Sequence, residues 1–140
     1  PAYAAKVLWL DAFVANVDRS WRNPNLLWWH QDLWLIDHGA SLYFHHGWIG
    51  GLAVATRFAT QPWAADDHVL VEHMLGVSKA HQELTAQVDA DLLDSVLALV
   101  PDEWLSFVQG EAPGRIRDAY RDLLLTRLAN PSAWMPRGDG

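Results

Sequence analysis

The sequence predicts a mainly α-helical domain that contains one short β-hairpin. The hairpin is indicated by two short apolar runs, Leu26 to Trp29 and Leu33 to Ile36, separated by the polar residues His30-Gln31-Asp32. The clearest helical pattern lies in residues 113–129, where apolar side chains recur every three or four residues: Ile116, Ala119, Tyr120, Leu123, Leu124 and Leu128. With 140 residues and nine tryptophans, the chain is long enough to bury a core, and a single domain over 1–140 is expected.

The other helices are predicted from the same periodicity and from capping residues. Residues 2–15 repeat apolar side chains at helical spacing, with Tyr3 on the apolar face and an end near Asn16. A long irregular segment, 37–65, precedes a helical remainder over 66–130. There Asp66 has the chemistry of an N-cap for a helix that reaches about residue 76, residues 80–99 fit two helices that meet near Asp89, and Pro101 fits the first turn of another short helix.

Composition restricts the classes of function. The formal net charge of −7 argues against nucleic-acid binding, because a nucleic-acid binder needs a basic surface that displaces counterions. Cysteine is absent, which excludes disulfides and thiolate metal sites. No apolar run is long enough to span a bilayer, and the first residues lack the order of a signal peptide. We therefore expect a cytoplasmic chain without a membrane span.

Two polar loops flank the predicted hairpin. The loop before it, 16–25, contains Asp18 and, five residues later, Asn23; the loop after it begins with Asp37. Because the strands of a hairpin run antiparallel, both loops are expected at the same end of the hairpin. Phosphoryl transfer needs a carboxylate near the acceptor hydroxyl together with carboxylate and amide oxygens on a metal, and magnesium prefers such ligands. The ordered set of Asp, Asn, hairpin and Asp-x-Gly therefore favours phosphoryl transfer.

The same order resembles that of the atypical kinases, which include the HipA-like kinases and the phosphatidylinositol 3- and 4-kinases. Those kinases carry Asn-x-Asp-Arg-x-x-x-Asn followed by Asp-x-Gly; this chain reads NVDRSWRN from Asn16 and then DHG from Asp37. The resemblance covers roughly residues 8–75 and is closest to the bacterial HipA-like group. It implies a kinase-like C-terminal lobe that lacks its N-terminal lobe, with a catalytic loop at 16–25, a hairpin at 26–36 and an Asp-x-Gly at 37–39.

The resemblance also implies a role for each polar residue in the two loops. Asp18 would be the catalytic aspartate, which accepts or orients the proton of the substrate hydroxyl. Asn23 would ligate a magnesium ion, and Asp37 would hold the metal against the phosphates of ATP. Asn25 is an alternative ligand on the same loop.

Arg19 and His38 complete the candidate centre. Arg19 follows the catalytic aspartate, where bracing the loop or a phosphate is favoured over a chemical step. His38 stands where the relatives often have Asn or Phe, and it either tunes Asp37 or packs. The loop residues also have a purely structural interpretation, since Asp and Asn are common turn formers and helix caps.

A kinase also needs a glycine-rich loop and a strand lysine that hold the nucleotide phosphates. The two lysines of this chain, Lys6 and Lys79, fall on predicted helices or their ends. We therefore expect a separate N-terminal lobe as a partner, ATP and a protein as substrates, and little or no transfer by this chain alone. An apolar surface where the other lobe docks would also favour homo-oligomers.

Two other functions are consistent with the sequence. The first is a non-catalytic binding or interaction module that keeps the kinase-like fold of the C-terminal lobe. The second is a metal-dependent hydrolase that uses a histidine cluster formed by His45, His46, His68 and His73. Its weakness is the spacing of His68 and His73, because ligands five residues apart do not align on one face of a helix.

Overall fold

A computed structural model of the chain describes residues 2–48 and 51–137. Over this range the chain is mainly helical and has one two-stranded antiparallel sheet, so the predicted class of a mainly α protein with a short hairpin is confirmed. The described residues fall into two units. One contains residues 2–43, 62–82 and 135–137, and the other contains residues 44–61 and 83–134.

The first unit is built on helix α1, Ala2–Phe13. The prediction of Tyr3 on its buried face is wrong, because Tyr3 is 56% exposed. The helix is buried most fully towards its end, where Trp9, Ala12 and Phe13 are at most 4% exposed. It packs against a 3-10 helix, Val71–Gly76, and Gly76 makes this contact possible, since an added Cβ would lie 2.8 Å from the Ala5 Cβ.

The hairpin consists of strands β1, Leu26–Trp29, and β2, Asp32–Leu35. Its connection has two residues rather than the predicted three, because Asp32 already pairs with Trp29. His30 and Gln31 have φ values of 49° and 69°, the left-handed conformation that a type I′ turn requires at both positions. The turn therefore matches the right-handed twist of the strands, although neither residue is the Asn or Gly that such turns prefer.

One face of the hairpin is apolar and exposed. The strand register places Leu27 opposite Trp34, and alternation along each strand puts Trp29 and Ile36 on the same face. We call these four residues the apolar face of the hairpin; each is between 43% and 54% exposed. The opposite face carries leucines that are half-buried, at positions 26, 33 and 35. Trp28 lies on this second face as well and is 70% exposed, so only its leucines are partly covered.

The remaining α-helices are α2, Val77–Thr85; α3, Ala90–Leu97; α4, Pro113–Ala129; and α5, Pro131–Trp134. The predicted boundary near Asp89 is confirmed, because its side chain accepts a hydrogen bond from the Leu92 amide at 2.8 Å and caps α3. Asp66 is not an N-cap, since residues 66–70 form turns and the next helix begins at Val71. No helix in the described part of the chain has the length and apolar character needed to cross a membrane.

The second unit is organised around α4. The predicted irregular segment, 37–65, contains 3-10 helices at Tyr43–Trp48 and Leu52–Thr60, and the latter packs against α4. Arg127 of α4 is fully buried, donates to the Ala59 carbonyl at 2.9 Å and lies 5.0 Å from the ring of Trp134. This cation therefore belongs to the core of the unit, where the sequence pattern predicts only apolar side chains.

Candidate functional site

Three predicted site residues meet in the loop before the hairpin. The Asn23 side-chain Nδ2 donates to the Asp18 Oδ2 at 2.9 Å. The Asn25 Nδ2 donates to the Asp18 carbonyl at 3.0 Å and to its Oδ2 at 3.3 Å. Both amide nitrogens therefore face the Asp18 carboxylate, and these hydrogen bonds use the nitrogens rather than the oxygens, which are the amide atoms that bind metals.

The hairpin brings the second loop to the same place. The Ile36 amide donates to the Asn25 carbonyl at 3.0 Å, which continues the strand pairing one step beyond β1 and β2. Asp37 follows directly, is exposed, and accepts from the Gly39 amide at 3.4 Å. The Arg19 Nη2 lies 3.3 Å from the His38 Nε2. The two polar loops are thus joined at one end of the hairpin.

Two of these residues have an unusual backbone conformation. Asn25 and Asp37 have φ values of 48° and 51°, in the left-handed region that costs about 1–2 kcal/mol for most residues other than glycine. Asn and Asp tolerate this region better than other side chains. The Asn25 conformation is held by its neighbours, because its carbonyl accepts hydrogen bonds from the Arg19 Nη1 and the Ile36 amide.

Arg19 is anchored in a group of buried polar residues that we call the Asp11 cluster: Asp11, Asn16, Arg19 and His68. Its Nε donates to the Asp11 Oδ2 at 2.5 Å, and neither side chain has exposed surface. The Asn16 Nδ2 donates to the Asp11 Oδ1 at 2.9 Å, and the His68 Nε2 lies 3.0 Å from the Asp11 Oδ2. This burial places Arg19 among structural contacts and supports bracing of the loop over a chemical step.

The hydrogen bonds of the Asp11 cluster determine the protonation state of the Asp11 carboxyl group. Burial by itself raises the pKa of Asp11, but hydrogen bonds from His68, Arg19 and Asn16, with the charge of Arg19, hold the pKa below its usual value. The His68 Nδ1 accepts from the Leu70 amide at 3.1 Å, so the hydrogen that His68 gives to Asp11 is on Nε2. Asp11 is therefore a carboxylate at neutral pH, with donors on both oxygens.

A third segment, residues 63–69, contacts the loop at residues 16–25. The Val69 amide donates to the Arg19 carbonyl at 3.1 Å, and the Trp21 amide donates to the Asp67 carbonyl at 3.3 Å. The Trp63 Nε1 donates to the Asn16 carbonyl at 2.8 Å. A cavity of about 370 Å³ lies between this segment and the loop. The loop is therefore held from α1, from the hairpin and from residues 63–69.

The histidine cluster of the hydrolase alternative has no geometric support in the described residues. Within residues 2–48 and 51–137, no three His, Asp or Glu side chains are grouped so that they could hold a metal ion. His68 is bound to Asp11, and the His45 Nδ1 lies 3.0 Å from the Tyr120 hydroxyl. Burial raises the pKa of Tyr120 to about 12, so this hydroxyl keeps its proton at neutral pH and can donate it to His45.

Sequence reasoning missed Asp11, and it considered His68 only as a member of the histidine cluster of the hydrolase alternative. The signal for Asp11 was an acidic residue inside an apolar helix, where burial is tolerated only with partners. The signal for His68 was weaker, because its partner lies 57 residues away in the chain. Both residues belong to the candidate site through Arg19.

Comparisons of the chain with protein-family models, with curated proteins and with solved structures found no match. The function is therefore inferred from the geometry of the two loops and from the motif that they carry.

Proposed function

We propose that this chain is the catalytic lobe of an ATP- and magnesium-dependent kinase of the HipA-like type, which phosphorylates a hydroxyl group on a protein. The observation that carries the proposal is the contact of Asn23 and Asn25 with the Asp18 carboxylate at the end of the hairpin where Asp37 emerges. The resemblance of the N-x-D-R-x-x-x-N and D-x-G motifs to the atypical kinases supports the same function. The kinase-like lobe is part of the proposal.

The donor set fits a magnesium ion. Asp37 is exposed, and Asn23 and Asn25 contact Asp18 through their amide nitrogens, so the proposed hard ligands are one carboxylate and an amide oxygen. A magnesium ion held there would neutralise the charge of the nucleotide phosphates. Asn23 and Asp37 are the proposed ligands, and Asn25 is the alternative to Asn23.

Asp18 is suited to the acceptor hydroxyl. The hydroxyl oxygen forms a bond to the γ-phosphorus of ATP while the bond from that phosphorus to the β–γ bridging oxygen breaks. ADP leaves with the electron pair, and the hydroxyl proton passes to the Asp18 carboxylate. The two amide donors on Asp18 orient this carboxylate, and orientation is most of what a protein contributes to phosphoryl transfer.

The nucleotide also needs contacts that we place outside these 140 residues. The lysines of the chain lie on α1 and α2, at Lys6 and Lys79, and neither is on a strand. The glycines at 47, 50 and 51 follow Asp37 instead of preceding the catalytic loop; residue 50 lies outside the described residues. We propose that another segment supplies the phosphate-binding loop and lysine, and that this chain alone transfers phosphate slowly or not at all.

A second function is favoured by the apolar face of the hairpin. Trp29 and Trp34 are 53% and 54% exposed, and exposed aromatic clusters are typical of interaction sites. A non-catalytic interaction module with the same fold would use this face without using the carboxylates. The two functions differ in whether Asp37 matters for ligand binding.

A titration of magnesium and ATP, followed by tryptophan fluorescence, tests the proposal. The hairpin tryptophans lie on the strands that lead to both loops, so a nucleotide bound between the loops should change their emission. Asp37→Asn should weaken binding at least tenfold, because it removes the charged ligand. Asp32→Asn is the matched control, since it removes a carboxylate from the opposite end of the same hairpin.

Binding that is equal in wild type, Asp37→Asn and Asp32→Asn would contradict the kinase proposal. A complete lack of response would be decisive once the titration is repeated on a protein that also carries the phosphate-binding segment. Binding of a protein partner that is lost in Trp34→Arg but retained in Asp37→Asn would support the interaction module.

A further inference from the structure

Asp11 and His68 lie outside the motifs of the two loops, yet Asp11 binds Arg19, the residue that joins the loops, and His68 binds Asp11. We infer that Asp11 and His68 are positioning residues, which orient Arg19 so that it fixes the catalytic loop and the Asp-x-Gly loop relative to each other. The inference rests on the proposed function for its catalytic meaning. The positioning itself is a property of the fold and can be measured without a ligand.

Asp11 sets the orientation of the Arg19 side chain. Its guanidinium is planar and presents its donors in a fixed fork. Asp11, a residue of α1, accepts from the Arg19 Nε at 2.5 Å and from its Nη2 at 3.4 Å. Asp11 therefore fixes one edge of the guanidinium. Because Asp11 and Arg19 are fully buried, no solvent screens this pair, and the guanidinium has little freedom to turn.

The oriented Arg19 guanidinium contacts one residue in each polar loop. Its Nη1 donates to the Asn25 carbonyl, and Asn25 in turn donates to the Asp18 carboxylate. Its Nη2 lies 3.3 Å from His38, the residue next to Asp37. One side chain therefore contacts both loops, and a rotation of Arg19 would disturb its contacts with Asn25 and with the His38 ring together.

His68 holds Asp11 from the side of the segment that follows residue 62. Its Nε2 lies 3.0 Å from Asp11, and its Nδ1 accepts from the Leu70 amide. The backbone around it pairs with the catalytic loop through the Ser20–His68 bridge. His68 thus ties the segment after residue 62 to Asp11, and its Nε2 hydrogen orients the carboxylate towards Arg19.

A purely stabilising role would not require these residue types. Buried ion pairs are often no more stabilising than apolar side chains of the same volume, because desolvation offsets the attraction. The Asp11–Arg19 pair does fix the orientation of the guanidinium, because specific donor and acceptor atoms must face each other. We therefore assign the Asp11 cluster to the geometry of the loops.

Amide hydrogen exchange on the full chain, read by NMR, tests the inference. In Asp11→Asn, exchange at the Asp18 and Ile36 amides should accelerate at least tenfold, because these amides donate to Asn16 and Asn25, which the cluster holds. Amides in the middle of α4 should accelerate less than these two loop amides, because they respond only to the general loss of stability. Ile116→Val, a buried change in α4, is the control for general loss of stability and should not single out the two loop amides.

Equal acceleration at the loop amides and in α4 would overturn the inference, and so would unchanged rates at Asp18 and Ile36. If Asp11→Asn does not fold, His38→Ala tests the other end of the same chain of contacts, because it removes the exposed ring that Arg19 contacts in the second loop. This variant should speed exchange of the Ser41 amide, which donates to the His38 carbonyl at 3.0 Å, about fivefold or more. An unchanged Ser41 rate would overturn the inference in that case.

Manganese binding, followed by electron paramagnetic resonance, separates this inference from the proposed function. Asp11→Asn should lower the affinity for Mn²⁺ at least tenfold and Asp32→Asn should leave it unchanged. Wild-type protein that binds no Mn²⁺, with or without ATP, would count against the metal site. The exchange rates would still show whether Asp11 positions the loops.

Discussion

Asp11 and Arg19 each contribute both to the stability of the fold and to the geometry of the two loops. A carboxylate with no exposed surface is tolerated only because three side chains donate to it. Removing one member of such a buried pair costs about 3–5 kcal/mol, since the other charge is left without its partner. The site therefore depends on a residue that carries no part of the recognisable motif.

The depressed pKa of Asp11 makes stability depend on pH. A carboxyl group whose pKa is lower in the folded than in the unfolded chain stabilises the fold above its unfolded pKa of about 3.9. That contribution is lost as the pH falls through the folded pKa. The difference in free energy of unfolding between wild type and Asp11→Asn should therefore be largest near neutral pH and shrink below about pH 4.

Urea unfolding of both proteins at about pH 7, 5 and 3, followed by tryptophan fluorescence, measures this difference. The exposed Asp91→Asn is the control and should show no such convergence at acid pH. A wild-type advantage that persists unchanged to about pH 3 would contradict the assignment of a lowered pKa to Asp11.

Among the elements, the hairpin decides where the two loops lie. The two residues of its turn, His30 and Gln31, both have positive φ. This conformation favours Asn and Gly rather than His and Gln. Glycine at the second position of a type I′ turn removes the steric penalty of the left-handed region. We expect Gln31→Gly to raise the free energy of unfolding by about 0.5–1 kcal/mol.

Urea unfolding measures the effect of this substitution, and Asp91→Gly in α3 provides the opposite case. Asp91 is exposed inside a helix, where glycine should lower stability by about 0.5–1 kcal/mol. Destabilisation by glycine at both positions would show that the turn at residues 30 and 31 is not left-handed in solution.

For the whole molecule, the apolar face of the hairpin predicts self-association. Trp34 is half exposed beside three other apolar side chains, and clusters of this kind are usually covered by a partner. The sedimentation coefficient of the wild-type chain should rise with concentration, and Trp34→Arg should abolish the rise. Trp104→Arg, at a tryptophan 72% exposed elsewhere in the chain, should leave it intact; equal effects of both changes would contradict a role for this face.

Much of the fold follows from sequence periodicity. The α4 helix and the boundary at Asp89 depend on local patterns, and both agree with the structure. The start of the helix after Asp66 was predicted wrongly, because His68 is drawn into contact with Asp11 and its backbone pairs with Ser20. Such distant contacts override a local capping signal, and nothing in residues 66–70 alone reports them.

The candidate site divides in the same way. The placement of Asp18, Asn23 and Asp37 around one end of the hairpin follows from the order of loops and strands. The Asp11 cluster could not be predicted, because its members come from α1, the loop and a segment more than fifty residues away. Their association depends on how the unit packs. The acidic residue in the apolar helix α1 indicates that partners are needed but does not identify them.

The hairpin has one end joined to both polar loops and another end, at residues 30 and 31, that is exposed and points away along the strands. Pairs of residues added symmetrically at the distal end would keep the inward and outward alternation of the side chains. Variation in hairpin length is therefore separable from the arrangement of the two polar loops at its base. Insertions, labels or recognition segments can be accommodated at the tip while the carboxylates stay where they are.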